Sequence, residues 1–463
     1  MPRFRHYSML AILTLIVVRD AAPQSSPPPL TEQYRAIADR LIDAATGDSA
    51  AWHKLARLTD RFGPRLSGSK ALEDAIDWIL AEMKKEGLEN VRGEPVMVPH
   101  WVRGDESAEL TAPRPQPLPI LGLGHSVGTP EGGIEAEVLV VKSFDDLATR
   151  GAEARGKIVL FNVPFVTYGA TVRYRTEGAS AAARAGAVAA LVRSVTPHSL
   201  STPHTGRLLY DSAAPRIPAA AVTVEDAMLL ARMQERGEKP RLRLRMGARM
   251  LPDARSRNVV AEIRGSEHPD EIVVMGGHID SWDVGQGAMD DGGGCVVAWE
   301  ALRLMKRLGL RPRRTIRVVM WTNEENGMRG AAAYRDTHRA AVDRHVLAIE
   351  SDNGVFKPAG FAFTGSDAAR ARIAEVASLL ARIEADSVAP GGGGADIAPL
   401  MELGVPGMSP IVDGSRYFWY HHSAADTMDK LDPNDMARVT AALAVMTYIV
   451  ADMAERLPRA AGR

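Results

Sequence analysis

Apolar and polar positions divide the chain into three textures. Over residues 31–85 the spacing is helical, clearest at Ala71, Leu72, Ala75, Ile76, Ile79, Leu80 and Met83, which place one apolar stripe on a helix. Gly87 ends that pattern. Residues 94–98 and 108–110 read as strands, and residues 113–119 are dense in proline. Proline lacks the N–H that a central strand or a helix interior needs, so this stretch predicts a domain boundary. From 121 to 246 short strands (134–141, 157–162, 187–193, 217–222) alternate with helices (179–186, 224–236), a small α/β or β-rich unit. From 256 onward the strands 272–275, 315–321 and 345–349 are apolar throughout and rich in β-branched residues, as in strands buried on both faces. A helix over 296–308 separates the first two. Strands separated by helices predict a mixed, mostly parallel sheet with helices on both faces. No fixed-period repeat and no long low-complexity arm interrupts the pattern.

Each buried strand of the third region runs into a polar cluster. Residues 272–275 lead to His278 and Asp280, 315–321 to Glu324 and Glu325, and 345–349 to Asp352. Open parallel sheets bind ligands beyond the carboxyl ends of their strands, so one geometric rule gathers these side chains at one rim. Between the first two strands, Asp290 and Asp291 precede three glycines and a helix. Near the end, His421, His422 and Asp426 lie in "YFWYHHSAADT".

Composition narrows the chemistry. The chain has 463 residues, 46% hydrophobic and 24% charged, with a formal net charge of -1. That balance gives no general attraction to nucleic acid or to an anionic membrane. Cys295 is the only cysteine, which excludes an intramolecular disulfide and thiolate metal clusters and reads as a small packed thiol. Any metal must therefore sit on histidine and carboxylate. Two histidines and three acids, one of them shared, suit a pair of divalent zinc ions about 3.5–4 Å apart. Asp280, two residues after His278, is positioned to hydrogen-bond that ring through its carboxylate. At the start, Arg3, Arg5 and His6 precede an apolar run over 9–18 and a Pro/Ser-rich stretch over 23–29. This layout predicts a removable leader over 1–24 and a secreted or periplasmic protein. No other stretch predicts a membrane span.

The blocks "GGHIDSWDVGQGAMDDGGG", "WTNEENGMRG", "ESDNG", "GVPG" and "YFWYHHSAADTMD" together resemble the M28 metallopeptidases. "GKIVLFN", "AARAGAVAALV" and "IPAAAVTVEDAMLL" resemble a protease-associated (PA) domain. The resemblance implies a catalytic domain in two parts, 25–118 and 251–463, around a PA-like insert over 119–250. It implies that His278 and Asp352 ligate one zinc, that Glu325 and His422 ligate the other, and that Asp290 bridges both. Glu324 becomes general base and then acid, and His421 stays outside the ligand set. The substrates implied are short peptides, above all dipeptides with free ends, and the assembly implied is a homodimer. An aminopeptidase acting on longer peptides, a one-zinc acyl transferase and a non-catalytic receptor module share the scaffold. Asp396 and the loop around Tyr417 are candidates for reading a peptide terminus. His198 and His204 read as ordinary loop histidines.

Overall fold

The computed structural model describes residues 1–2 and 28–459. The leader read over 1–24 lies outside the described residues apart from its first two positions. The helical stretch near the start forms three helices, Leu30–Thr46, Ala50–Phe62 and Lys70–Lys85. Ser69 caps the last of them by accepting the Leu72 N–H.

Among the described residues, two eight-stranded sheets organise the fold. In the first, strands Glu89–Val102, Arg249–Ile263, Arg314–Trp321, His268–His278, His345–Glu350, Gly407–Val412, Pro358–Thr364 and Ser387–Pro390 lie side by side in that order. The four central strands, from Arg314–Trp321 to Gly407–Val412, are mutually parallel, and antiparallel pairs flank them. Alternate residues explain the uniformly apolar strands. Val273, Met275, Ile316, Val318 and Met320 pack on one face beneath helices that include Gly293–Arg307 and Pro433–Asp452. Ile272, Val274, Val319 and Trp321 pack on the other face against Ala331, Tyr334, Ile397 and Leu400. A strand with two covered faces has no polar side to show.

The second sheet takes its strands from Glu106–Ala112 through Arg241–Met246, with its own apolar clusters on both faces. Its parallel centre comprises Ile134–Val141, Ile158–Phe161, Ala189–Arg193 and Ala219–Val222. The proline-dense stretch lies inside this sheet, not ahead of it. Glu106–Ala112 already pairs with Arg241–Met246, and Gln116–Leu118 forms a short edge strand against it. An edge strand is where proline is tolerated, because its outer N–H has no ladder partner to lose. Among the described residues no helix is long and apolar enough to cross a membrane.

Candidate metal centre

The side chains gathered at the rim of the first sheet converge on Asp290. His278 is the last residue of strand His268–His278, and its Nε2 lies 3.1 Å from Asp290 Oδ1 and 3.5 Å from Asp352 Oδ1. Asp352 follows the neighbouring parallel strand His345–Glu350 by two residues. The other oxygen of Asp290 faces a second group. Asp290 Oδ2 is 3.5 Å from His422 Nε2 and 3.6 Å from His421 Nε2, and His422 Nε2 is 3.0 Å from Glu325 Oε2. Two clusters of potential ligand atoms therefore share one carboxylate.

The backbone around Asp290 is held from several sides. Asp290 and Asp291 leave helical geometry just before helix Gly293–Arg307. Asp426 accepts the N–H groups of Ala288, Met289 and Asp290 at 3.1, 2.7 and 3.2 Å. Asp291 turns away from the cavity and accepts from the N–H groups of His278 and Gly294, both at 3.1 Å. Its approach depends on glycine. A Cβ on Gly277 would lie 1.9 Å from Asp291 Oδ2, and one on Gly294 would lie 1.7 Å from the Ser351 carbonyl oxygen. Arg65, fully buried, donates to the carbonyls of Gly63, Ile279, Gln286 and Gly287, and so stitches the segment between His278 and Asp290. Nothing in the sequence pattern singled out Arg65, since an isolated arginine reads as surface.

Asp280 does not hold the His278 ring through its carboxylate, as its position in sequence had suggested. Its carbonyl accepts from His278 Nδ1–H at 2.9 Å, while the carboxylate stays 4.0 Å from that nitrogen. Chain direction explains the exchange: two residues beyond the strand end, the backbone curls back over the ring. The carboxylate instead accepts the Glu324 N–H at 3.0 Å and the Ser67 hydroxyl at 3.1 Å. Nδ1 is thereby committed as a donor, which leaves Nε2 as the nitrogen facing Asp290 and Asp352, the one that would ligate a metal.

His422 is positioned from the second sheet's unit. Its backbone is left-handed, at φ 60°. Its N–H and C=O neighbourhood is laced to that unit: the Thr205 N–H donates to the His422 carbonyl at 2.9 Å, and His422 Nδ1–H faces the Thr205 carbonyl at 3.3 Å. His204 donates from Nδ1 to the His421 carbonyl at 2.6 Å, and the Thr196 hydroxyl contacts the Phe418 carbonyl at 2.5 Å. His204 is thus a buried tie to the histidine loop, not an ordinary loop residue; the His198 ring packs edge-on against Trp419. The rings of His421 and His422 stack at 3.5 Å.

The electrostatics fit a cation site. Burial raises the carboxyls of Glu325 and Asp352, and the nearby Asp290 charge adds to it. Burial likewise pushes Glu324 up to about 7; His278 opposes this, while Asp352, Asp280 and Asp290 add to it. For Asp290, contact with His278 and His421 outweighs burial and holds the carboxyl low. Asp290 Oδ2, Glu325 Oε1 and Asp352 Oδ1 are buried without hydrogen-bond partners. Buried carboxylates are stable only when paired or coordinated, so these orphaned oxygens match what a divalent metal would take up.

A cavity of about 360 Å³ opens over this centre. The first sheet's unit lines it with Glu324, Glu325, Asp352, Asn353, Tyr417 and the two histidines, and the second with Tyr168, Arg175, Thr176 and Arg207. Asp396, a candidate terminus reader, is buried and absent from the lining, whereas Tyr417 belongs to it. The four lining residues of the second unit escaped sequence reading, because no motif marks them.

Known proteins share this arrangement. The profile of Peptidase family M28 matches residues 258–447, and that of the PA domain matches residues 121–230. Carboxypeptidase Q of Homo sapiens is 50% identical over 426 residues, which cover 91% of this chain and 90% of the relative. The Xenopus laevis protein of the same name is 51% identical and covers 92% of each. The chain belongs to peptidase family M28. Its membership makes it a metallopeptidase, with a PA domain inserted ahead of the matched catalytic segment. A solved M28 peptidase precursor from Shewanella amazonensis SB2B superposes with a TM-score of 0.89 at 34% identity, covering 93% of this chain and all of that one. A zinc aminopeptidase from Bacillus subtilis, 21% identical with a TM-score of 0.67 over 88% of this chain and 96% of its own, shares the fold.

Proposed function

We propose that this M28 peptidase is a two-zinc exopeptidase that hydrolyses short peptides, above all dipeptides with free termini. The observation that carries the reading is Asp290, whose two oxygens face separate clusters, His278 with Asp352 and Glu325 with His422. A carboxylate placed so suits a shared ligand between two cations. Histidine nitrogen with carboxylate oxygen and no thiolate suits zinc. His422 is preferred to His421 as ligand, because its Nδ1 is anchored on Thr205 and its Nε2 reaches Glu325.

Zinc, when bound, supplies Lewis-acid polarisation of a peptide carbonyl and acidifies a water at neutral pH. Glu324 lines the cavity and is unclaimed by either half of the site. Its backbone is fixed by Asp280, so the carboxylate is free to take the proton of the attacking water and return it to the leaving amine nitrogen. Asp280 and Ser67 act through that positioning, not on the substrate. Export and a homodimer complete the proposal; they rest on the N-terminal residue pattern and on the family resemblance.

The test compares Glu324→Gln with Asp290→Asn for zinc per chain and dipeptide turnover. Glu324→Gln is expected to keep zinc while turnover falls roughly 10²–10⁴-fold, the usual worth of a general base. Asp290→Asn is expected to lose zinc and activity together. Near-normal turnover in Glu324→Gln would overturn the mechanism.

A further inference from the structure

Tyr168 reaches from the inserted unit onto the histidine loop. It opens the short helix Tyr168–Thr171, which Thr167 caps by accepting the Ala170 N–H at 3.3 Å. Its ring stacks on Phe418, with centroids 5.1 Å apart and planes at 19°, and meets His421 edge-on at 5.1 Å. Two aromatic contacts of different geometry leave the ring little freedom to turn. Tyr168 lines the cavity together with Glu324 and Glu325. Its hydroxyl accepts from Arg175 Nη2 at 2.8 Å and, among the described residues, donates to no group. Glu325 Oε1, whose charge reaches Tyr168, is itself without a partner, so the phenol proton is not spent there. A phenol has one proton to give, and this one remains uncommitted.

Arg175 is held as firmly. Its Nη1 faces the Thr205 carbonyl and His422 Nδ1, each at 3.3 Å. The guanidinium packs against Gly206, where φ is 139° and a Cβ would lie 2.2 Å from Cζ. A cation that donates to the hydroxyl oxygen polarises the O–H bond and makes it a stronger donor. Burial raises the phenol above its usual pKa; Arg175 opposes this, and the Glu325 and Glu324 charges add to it, so the proton stays on oxygen at neutral pH.

We propose that Tyr168 is a catalytic residue whose hydroxyl donates a hydrogen bond to the scissile carbonyl oxygen as that oxygen gains negative charge, with Arg175 as its positioning residue. The proposal rests on the Glu324-based hydrolysis proposed above and adds a donor from the inserted unit. As water adds to the carbonyl carbon, a C–O bond forms, the π pair moves onto the carbonyl oxygen, and the water's proton passes to Glu324. On collapse the pair returns, the C–N bond breaks, and Glu324 gives the proton to the nitrogen. Tyr168 lends a hydrogen bond through both steps and gives up no proton. A donor fixed before the charge appears needs no reorganisation when it does, and so favours the transition state over the bound peptide.

The test compares zinc-loaded full-length wild type with Tyr168→Phe, which keeps the ring and its stack and deletes only the hydroxyl. For alanyl-alanine, kcat should fall roughly 10²-fold, the usual worth of one oxyanion donor, with KM changed less than about twofold. Zinc per chain should match wild type, and melting should fall only slightly as Arg175 loses an acceptor. Calorimetry supplies a readout apart from turnover. The phosphinic isostere of alanyl-alanine, tetrahedral and anionic, should bind Tyr168→Phe more weakly by about the same factor. Alanyl-alanine itself should bind the Glu324→Gln enzyme equally well with and without Tyr168→Phe. A kcat near wild type overturns the proposal. So does loss of zinc, or equal weakening of both ligands, since either gives the hydroxyl a structural role. If wild type leaves alanyl-alanine intact, the dipeptide reading fails on its own. Phosphinate binding then decides for Tyr168, and a phosphinate that wild type and Tyr168→Phe bind alike overturns the assignment.

Discussion

The two halves of the site around Asp290 are held by different kinds of structure. His278 and Asp352 follow adjacent parallel strands whose ladder hydrogen bonds fix their spacing, and Ser351 N–H still bonds to the Gly276 carbonyl at 2.8 Å at the strand ends. His422 sits in a loop with left-handed backbone, and its ties run to Thr196, His204 and Thr205 in another sheet's unit. One half depends on a sheet, the other on docking between two layers. The first should resist local change, and the second should respond to substitutions that never touch a metal ligand.

The largest effect is expected from breaking the sheet-borne half at its stitch. Arg65→Met would remove a donor from the carbonyls of Gly63, Ile279, Gln286 and Gly287, two of them buried, at a cost of about 3–5 kcal/mol. Thermal melting should drop steeply, and zinc and hydrolysis should be lost together, because the segment from His278 to Asp290 loses its anchor. A variant that melts close to wild type would show that the strands alone hold this half.

A smaller and more selective effect is expected from His204→Ala. It removes one buried hydrogen bond to the His421 carbonyl, worth about 1–2 kcal/mol. The fold should persist while zinc content falls toward one per chain, as the His422 half loosens first. Zinc lost equally from both halves, or retained in full, would show that the two halves are held alike.

The same contrast governs what the sequence could tell. His278, Glu324, Glu325 and Asp352 were legible because uniformly apolar, β-branched runs locate the strands and strand ends locate the rim. The parallel centre and its helices followed from apolar runs between helical segments. Asp280 was placed near the right atoms but given the wrong group, since spacing along the chain does not say whether a carbonyl or a carboxylate meets the ring. His204 read as an ordinary loop histidine, and Arg175 and Arg207 could not be read at all. Their partners lie over 200 residues away in sequence for His204, across an interface that periodicity does not encode. The proline stretch misled because proline marks an edge strand as readily as a linker.

The most conditional effect, present only in acid, belongs to the sheet-borne half. His345 opens the strand that leads to Asp352 and is buried, with Tyr334 Oη 3.1 Å from Nε2. Burial, aided by Arg317, lowers its pKa to about 4. An unfolded histidine titrates near 6.5, so the unfolded chain takes up the proton first as pH falls. The stability due to the neutral ring is present above about 6.5 and is lost on descending toward 4, at up to about 1.4 kcal/mol per pH unit. Between pH 6.5 and 4.5, melting of His345→Gln should therefore fall less than that of wild type. Parallel curves would place the acid sensitivity elsewhere.

Gly277 and Gly294 set a limit on how this enzyme can drift. Alanine is usually the cheapest step away from a buried glycine, yet at Gly294 even one methyl collides with a backbone oxygen that cannot swing aside, and at Gly277 it displaces Asp291. The wall behind the metal centre is closed to gradual change at these two points. The loop of the inserted unit that brings Arg207 to the cavity carries a softer restriction: at Gly206, where φ is 139°, a Cβ would meet the Arg175 side chain and not backbone. Preference among substrates can thus wander over generations while the hydrolytic chemistry stays where it is.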